Sequence, residues 1–161
     1  MATTEALHHR FMREAIELSK ANVRQGKGGP FAAVVVRDGA VLAHGTNLVT
    51  STNDPTAHAE IVAIREACRA LGSFQLEGCD IYTTCEPCPM CLGAIYWARP
   101  RAVFFANTQD DAAQIGFDDQ FIYDEFSRPH SERKIPMNQI LREEALPVFR
   151  EWMEKTDKIS Y

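Results

Sequence analysis

Two short stretches hold the residue types that could do chemistry. In "DPTAHAEIVAIREA", Asp54 to Ala67, an imidazole at His58 and a carboxylate at Glu60 stand two positions apart where a helix begins. In "CEPCPMCLGA", the thiols of Cys88 and Cys91 stand at a second helix start, where free backbone N–H groups and the helix dipole favour thiolates. A C-x-x-C pair alone is ambiguous, a redox pair or half of a metal site. His58 turns the reading toward metal, because one imidazole and two thiolates give zinc three protein ligands and leave a fourth tetrahedral position for water. Glu60 then reaches that water without occupying the metal. A closed site with Cys85 as fourth ligand is the alternative; it leaves Glu60 without a role, and Cys85 lies at a strand end, where its direction need not match the helix-start cysteines.

Together, His58-Ala59-Glu60 and Pro87-Cys88-Pro89-Met90-Cys91 form the H-x-E…P-C-x-x-C pattern of zinc deaminases that act on nucleobases. Two thiolates nearly cancel the charge of zinc, so water there is acidified less than at an all-histidine site and a nearby base becomes necessary. Glu60 is that base, taking a proton from water, delivering it to a ring nitrogen and then protonating the departing ammonia. Cys68 and Cys79 read as ordinary buried thiols. His8, His9, His44 and His130 read as surface or satisfied histidines.

The elements that must position these groups follow from periodicity. Apolar residues from Leu7 to Leu18 recur at three- and four-residue steps, giving a helix from Thr3 to about Val23 behind a threonine cap. It ends in "RQGKGGP", a loop able to approach a ligand or another backbone closely. "FAAVVVRDGAVLAHGTN" reads as a hairpin turning at Asp38-Gly39, and its continuous apolar runs suit a sheet covered on both faces. A helix from about Thr56 to Leu71 stops at Gly72. "DIYTT", "CPMCLGAIYWA" and "RAVFFAN" then give strand, helix and strand. The order predicts a mixed sheet between helices. After Asn107 the signals weaken, with helical stretches broken at Gly116, a polar connection and an apolar C-terminal face at Leu146, Val148, Phe149, Trp152 and Met153.

Composition narrows the function. The chain of 161 residues has 45% hydrophobic and 24% charged residues, the proportions of one globular domain. A net charge of −5 with 17 scattered basic residues argues against a nucleic-acid surface. The start of the chain lacks a signal-peptide core and "FAAVVV" is too short to cross a membrane, so a cytoplasmic protein with no membrane partner is expected. In that compartment the five cysteines read as metal or redox groups rather than as disulfides.

The sequence resembles the bacterial guanine deaminases of the cytidine-deaminase-like fold along almost its whole length. The likeness rests on "GGPFAAVVV", "TSTNDPTAHAEIVAIREAC", "TTCEPCPMCLGAIYWARP", "GFDDQFIY" and the terminal tyrosine. It implies a three-layer α/β/α fold around a central five-stranded mixed sheet, one zinc ion per subunit on His58, Cys88 and Cys91, and Glu60 as proton shuttle. It also implies that Asn47 hydrogen-bonds the purine, that Asp119 contacts the base near its amino group and assists proton transfer, and that Phe31, Trp97 and Phe117 line the pocket. The family is dimeric with exchanged C-terminal segments, so residues 140–161 would cross to the partner and Tyr161 would close the partner's site. Ala32 stands where the family commonly has glycine. Alternatives are a guanosine deaminase or another aminopurine or amino-heterocycle deaminase, a tRNA adenosine deaminase, and a non-catalytic zinc-stabilised binding module.

Overall fold

A computed structural model describes residues 4–161. The threonine cap expected at Thr3 lies outside the described residues. The chain divides into two compact units, one ending at Asp119 and the other running from Gln120 to Tyr161.

In the first unit, α1 (Thr4–Arg24) is followed by the hairpin β1 (Ala32–Arg37) and β2 (Ala40–Thr46), then the single turn α2 (Val49–Thr52) and α3 (Ala59–Leu71). The chain continues through β3 (Cys79–Cys85), α4 (Pro89–Ala98), β4 (Ala102–Asn107) and α5 (Gln109–Gln114). Asp38 and Gly39 both take positive φ, 51° and 76°, as a tight hairpin of this hand requires. The order β2-β1-β3-β4 is mixed: β1 runs antiparallel to both β2 and β3, whereas β3 and β4, joined by the α4 crossover, are parallel.

Alternation along β1 and β3 sorts their side chains into two cores. Ala33, Val35, Cys79 and Ile81 face Ala59, Ala63 and Ala67 of α3 and Ile95 and Ala98 of α4. Val34, Val36 and Tyr82 face Phe11 and Ala15 of α1. This is the three-layer α/β/α arrangement, and it explains why β1 carries five buried residues in succession. Tyr82 stacks on Phe104 with ring centres 4.9 Å apart, and its hydroxyl lies 2.7 Å from His8 Nδ1, so one edge of the α1 layer is pinned by a half-buried polar contact.

The sheet has four strands among the described residues, not the expected five. Beyond Asn107 the chain turns helical at once: Thr108 and Asp111 form a reciprocal capping box, and Gly116 with φ of 90° redirects the backbone. β4 is left as an edge, with Phe105 48% exposed. The helix expected from Thr56 begins at Ala59 instead, because the Asp54 carboxylate accepts from the Thr56 N–H at 2.8 Å and holds a turn just before it. Gly72 ends that helix in the left-handed conformation.

The second unit contains α6 (Gln120–Ser127), a 3₁₀ turn (His130–Glu132) and α7 (Arg142–Glu154). Lys134 N–H donates to the Glu125 carboxylate at 2.7 Å, and Arg133 donates to the carbonyls of Phe126 and Arg128. Val148, Phe149, Trp152 and Met153 of α7 are exposed. No helix among the described residues is long and apolar enough to cross a membrane.

The alanines at 59, 63 and 67 let α3 lie close on the sheet, and Gly45 of β2 completes that approach. A Cβ at Gly45 would collide with the Ala59 carbonyl oxygen. Gly45→Ala is therefore expected to destabilise the fold by about 1–3 kcal/mol, as overpacking does. Denaturant unfolding with an unchanged midpoint would show that this contact is slack.

Candidate active site

Each donor-bearing segment is a helix start. His58 is the N-cap of α3 and Cys88 the N-cap of α4, both with extended backbone and neither spending its side chain on the cap. Pro89 at the first position of α4 suits the turn, since its missing N–H would have no helical partner there. Cys91 lies one turn further on and is fully buried. His58 Nδ1 stands 3.5 Å from Cys88 Sγ and 3.5 Å from Cys91 Sγ.

Those distances suit a particular ion. Tetrahedral zinc, with bonds of about 2.0–2.1 Å to nitrogen and about 2.3 Å to sulfur, puts its nitrogen and sulfur ligands roughly 3.6 Å apart. The three donor atoms lie within 4.8 Å of one another, and the residues fit zinc in type and in spacing. Cys85 is not one of the group. Its thiol donates to the Thr108 carbonyl at 3.6 Å, and burial, helped by the charges of Glu60 and Asp119, pushes it up to about 11.

Protons are shared unequally within the cluster. A hydrogen bond from Cys91, assisted by His58, pulls the Cys88 thiol down to about 4. The same bond, burial and the Glu60 carboxylate push Cys91 up. The Cys88 hydrogen bond raises His58 above its ordinary value. Glu60, only 6% exposed with Oε2 3.5 Å from Cys91 Sγ, is pushed up chiefly by burial. A buried carboxyl beside two sulfurs has a raised affinity for a proton, the property a proton carrier needs.

Around this centre the chain assembles two further groups. Asp119 is close enough for its charge to act on His58, and burial raises its own carboxyl. Its Oδ1 accepts from Gln109 Nε2 at 3.1 Å, while the Gln109 N–H donates to the Glu86 carboxylate at 3.1 Å. Asn47 is buried at the end of β2. Its Oδ1 accepts from the N–H groups of Gly29 (3.4 Å) and Val49 (3.3 Å), which leaves Nδ2 as the donor to present. Phe31 and Phe117 meet edge to face at 4.9 Å over Gly29, where an added Cβ would press on both rings.

Trp97, on the last turn of α4, is 63% exposed. Tyr161 belongs to the second unit and is also exposed. Ala32 is fully buried in β1, where its N–H donates to Thr84 Oγ1 at 3.1 Å. Nothing in the sequence distinguishes Gln109 and Glu86 from surface residues.

Replacing Cys88 or Cys91 by serine is expected to weaken zinc binding by more than the roughly 10–100-fold typical of an outer-shell change. Cys85→Ser is expected to leave zinc content unchanged. Metal analysis of the purified variants checks this, and zinc loss in Cys85→Ser equal to that in Cys88→Ser would contradict the three-donor site.

Comparison with known proteins agrees with this geometry. The family described as the cytidine and deoxycytidylate deaminase zinc-binding region matches residues 5–107. The chain is 54% identical to guanine deaminase of Bacillus subtilis over 154 residues, spanning 96% of this chain and 99% of that one. Against the solved structure of guanine deaminase from Bacillus subtilis the TM-score is 0.93 at 55% identity, covering 96% of this chain and 98% of that one. A tRNA-specific adenosine deaminase of Aquifex aeolicus is 41% identical over 96 residues, 60% of this chain and 63% of its own. Because the matched family region takes in both helix starts and all three donors, the chain belongs to the cytidine and deoxycytidylate deaminase zinc-binding family.

Proposed function

We propose that this chain is a zinc-dependent guanine deaminase that converts guanine and water to xanthine and ammonia. The observation that carries the reaction type is the buried Glu60 carboxyl beside a three-donor His58, Cys88 and Cys91 set. Guanine as substrate is supported by the likeness to a guanine deaminase over nearly the whole of both chains at 54% identity, whereas the Aquifex aeolicus tRNA enzyme is 41% identical over 60% of this chain. The acidic balance of the sequence points away from RNA as well.

Zinc held by His58, Cys88 and Cys91 would polarise water and stabilise the charge that develops as the amino-bearing carbon is attacked. Glu60 accepts one proton of the attacking water and gives it to the adjoining ring nitrogen; it then takes the second proton from the hydroxyl newly bound to the carbon and passes it to the amino group, which leaves as ammonia as the C–N bond breaks and the carbonyl forms. Asp119, fixed by Gln109, receives the exocyclic amino group and assists its departure. Asn47 presents its amide Nδ2 to an acceptor on the purine. Phe31 and Phe117 form an apolar wall for the planar ring.

Trp97 and Tyr161 complete the reading as pocket residues in a cytoplasmic homodimer. Residues from about 140 to 161 cross to the partner, so that Tyr161 closes the partner's site. This gives the exposed apolar face of α7 a surface to cover it.

Glu60→Gln is expected to keep zinc and to lose about 10²–10⁴-fold in turnover, the usual contribution of general acid–base catalysis. Ammonia release from guanine, guanosine, adenine, cytosine and a tRNA checks the substrate. Preference for guanosine or tRNA over guanine would overturn the substrate, and near-normal turnover by Glu60→Gln would overturn the mechanism.

A further inference from the structure

The buried stripe of α1 begins with Phe11 and Ala15 and ends with Ser19 and Asn22. An asparagine near the end of a helix, 2% exposed, is out of keeping with a stripe whose task is to cover a sheet. Both hydrogens of its amide are spent on backbone. Nδ2 donates to the Gly29 carbonyl at 3.0 Å and to the Asn47 carbonyl at 2.9 Å. Oδ1, equally buried, has no hydrogen-bond partner among the described residues. The side chain is thus oriented wholly by its two donations, and a flipped amide would face both carbonyls with an oxygen.

Those two acceptors bear on one residue. Asn47 is held by Asn22 at its main-chain carbonyl. Its side-chain Oδ1 is held by the N–H of Gly29, and Gly29 is the other residue that Asn22 grips. The Asn47 N–H in turn donates to Phe31 O at 3.0 Å, so the phenylalanine of the apolar wall joins the same circuit. Gly28 closes it, because a Cβ there would collide with the Asn47 carbonyl oxygen. The glycine loop and the exit of β2 are therefore tied at a fixed separation by one side chain reaching over from α1.

We infer that Asn22 is the positioning residue for Asn47: its two donations fix the Asn47 main chain directly and the Asn47 amide through Gly29, setting where the purine-binding donor points. The inference rests on the reading of Asn47 as a purine contact. Asn47 holds the ring before and during the reaction alike, so misplacing it weakens substrate binding more than it slows turnover.

The test is a cycle of variants on the zinc-loaded protein with guanine as substrate. Asn22→Leu removes both donors at nearly constant volume, and Asn22→Asp removes them at constant shape. Either is expected to raise KM on the order of tenfold, the loss of about one buried hydrogen bond, with a smaller change in kcat and with zinc content unaltered. Made in an Asn47→Ala background, the same substitutions are expected to add nothing to KM, since the residue they act through is gone. Asn22→Ser, a smaller change that retains one donor, covers the case in which the other two do not fold.

Unchanged KM in an Asn22 variant, effects that multiply in the Asn47→Ala background, or failure of all three variants to fold with zinc would each overturn the inference. The last result would make Asn22 a folding residue only. If the unsubstituted protein does not turn over guanine, it is the proposed function that fails, so the two failures are distinguishable.

Discussion

The meeting of two helix starts, α3 at His58 and α4 at Cys88, is the constraint from which the site is built. It brings an imidazole nitrogen to 3.5 Å from each of two sulfurs and buries a carboxylate beside them. Helix dipoles favour negative charge at such a place by about 0.3–1 kcal/mol each, up to about 2 when partly buried. Binding of structural zinc by comparable donors is worth about 10–16 kcal/mol. The ion, not the dipoles, balances the thiolates. Of the three donors only the Cys88 thiol is inclined to lose its proton; Cys91 and His58 are pushed up, and binding of the ion is what displaces their protons. Glu60 is buried beside them, and its raised proton affinity follows chiefly from that burial, with the charge of Cys88 adding to it.

Close backbone approach is what permits the meeting. α3 presents alanine to the sheet at three successive turns, and Gly45 removes the one side chain that would hold its first turn away. On the opposite face of the sheet, α1 uses larger residues, Phe11 among them, to fill against Tyr82 and Phe104. The two faces thus differ in purpose. One sets a distance for chemistry, and the other fills volume. Asn22 is the exception on the filling face, since its amide is directed at the glycine loop rather than at the sheet.

Much of this was legible in the residues, for physical reasons. Ligand types are few, their spacing along helix starts is short-range, and the apolar runs of the β1–β2 hairpin announced a sheet covered on both sides. The helices after Asn107 were visible as patterns, yet the fifth strand that the family resemblance implied is absent among the described residues. The capping box at Thr108 and the turn at Gly116 take the chain into helix instead. Asn22 and Gln109 were not legible at all. Both act by hydrogen bonds across the fold, from Asn22 to the carbonyl of Asn47 and from Gln109 to the carboxylate of Asp119, and neither bond leaves a periodic or compositional trace.

An open coordination site beside a buried proton carrier is the central claim, and X-ray absorption at the zinc edge of the loaded protein tests it most directly. Two sulfurs at about 2.3 Å with two lighter donors at about 2.0–2.2 Å, one of them exchangeable solvent, is the result expected of a three-ligand site. A third sulfur at the same distance would place Cys85 on the metal, close the site to water and leave Glu60 without the reaction assigned to it.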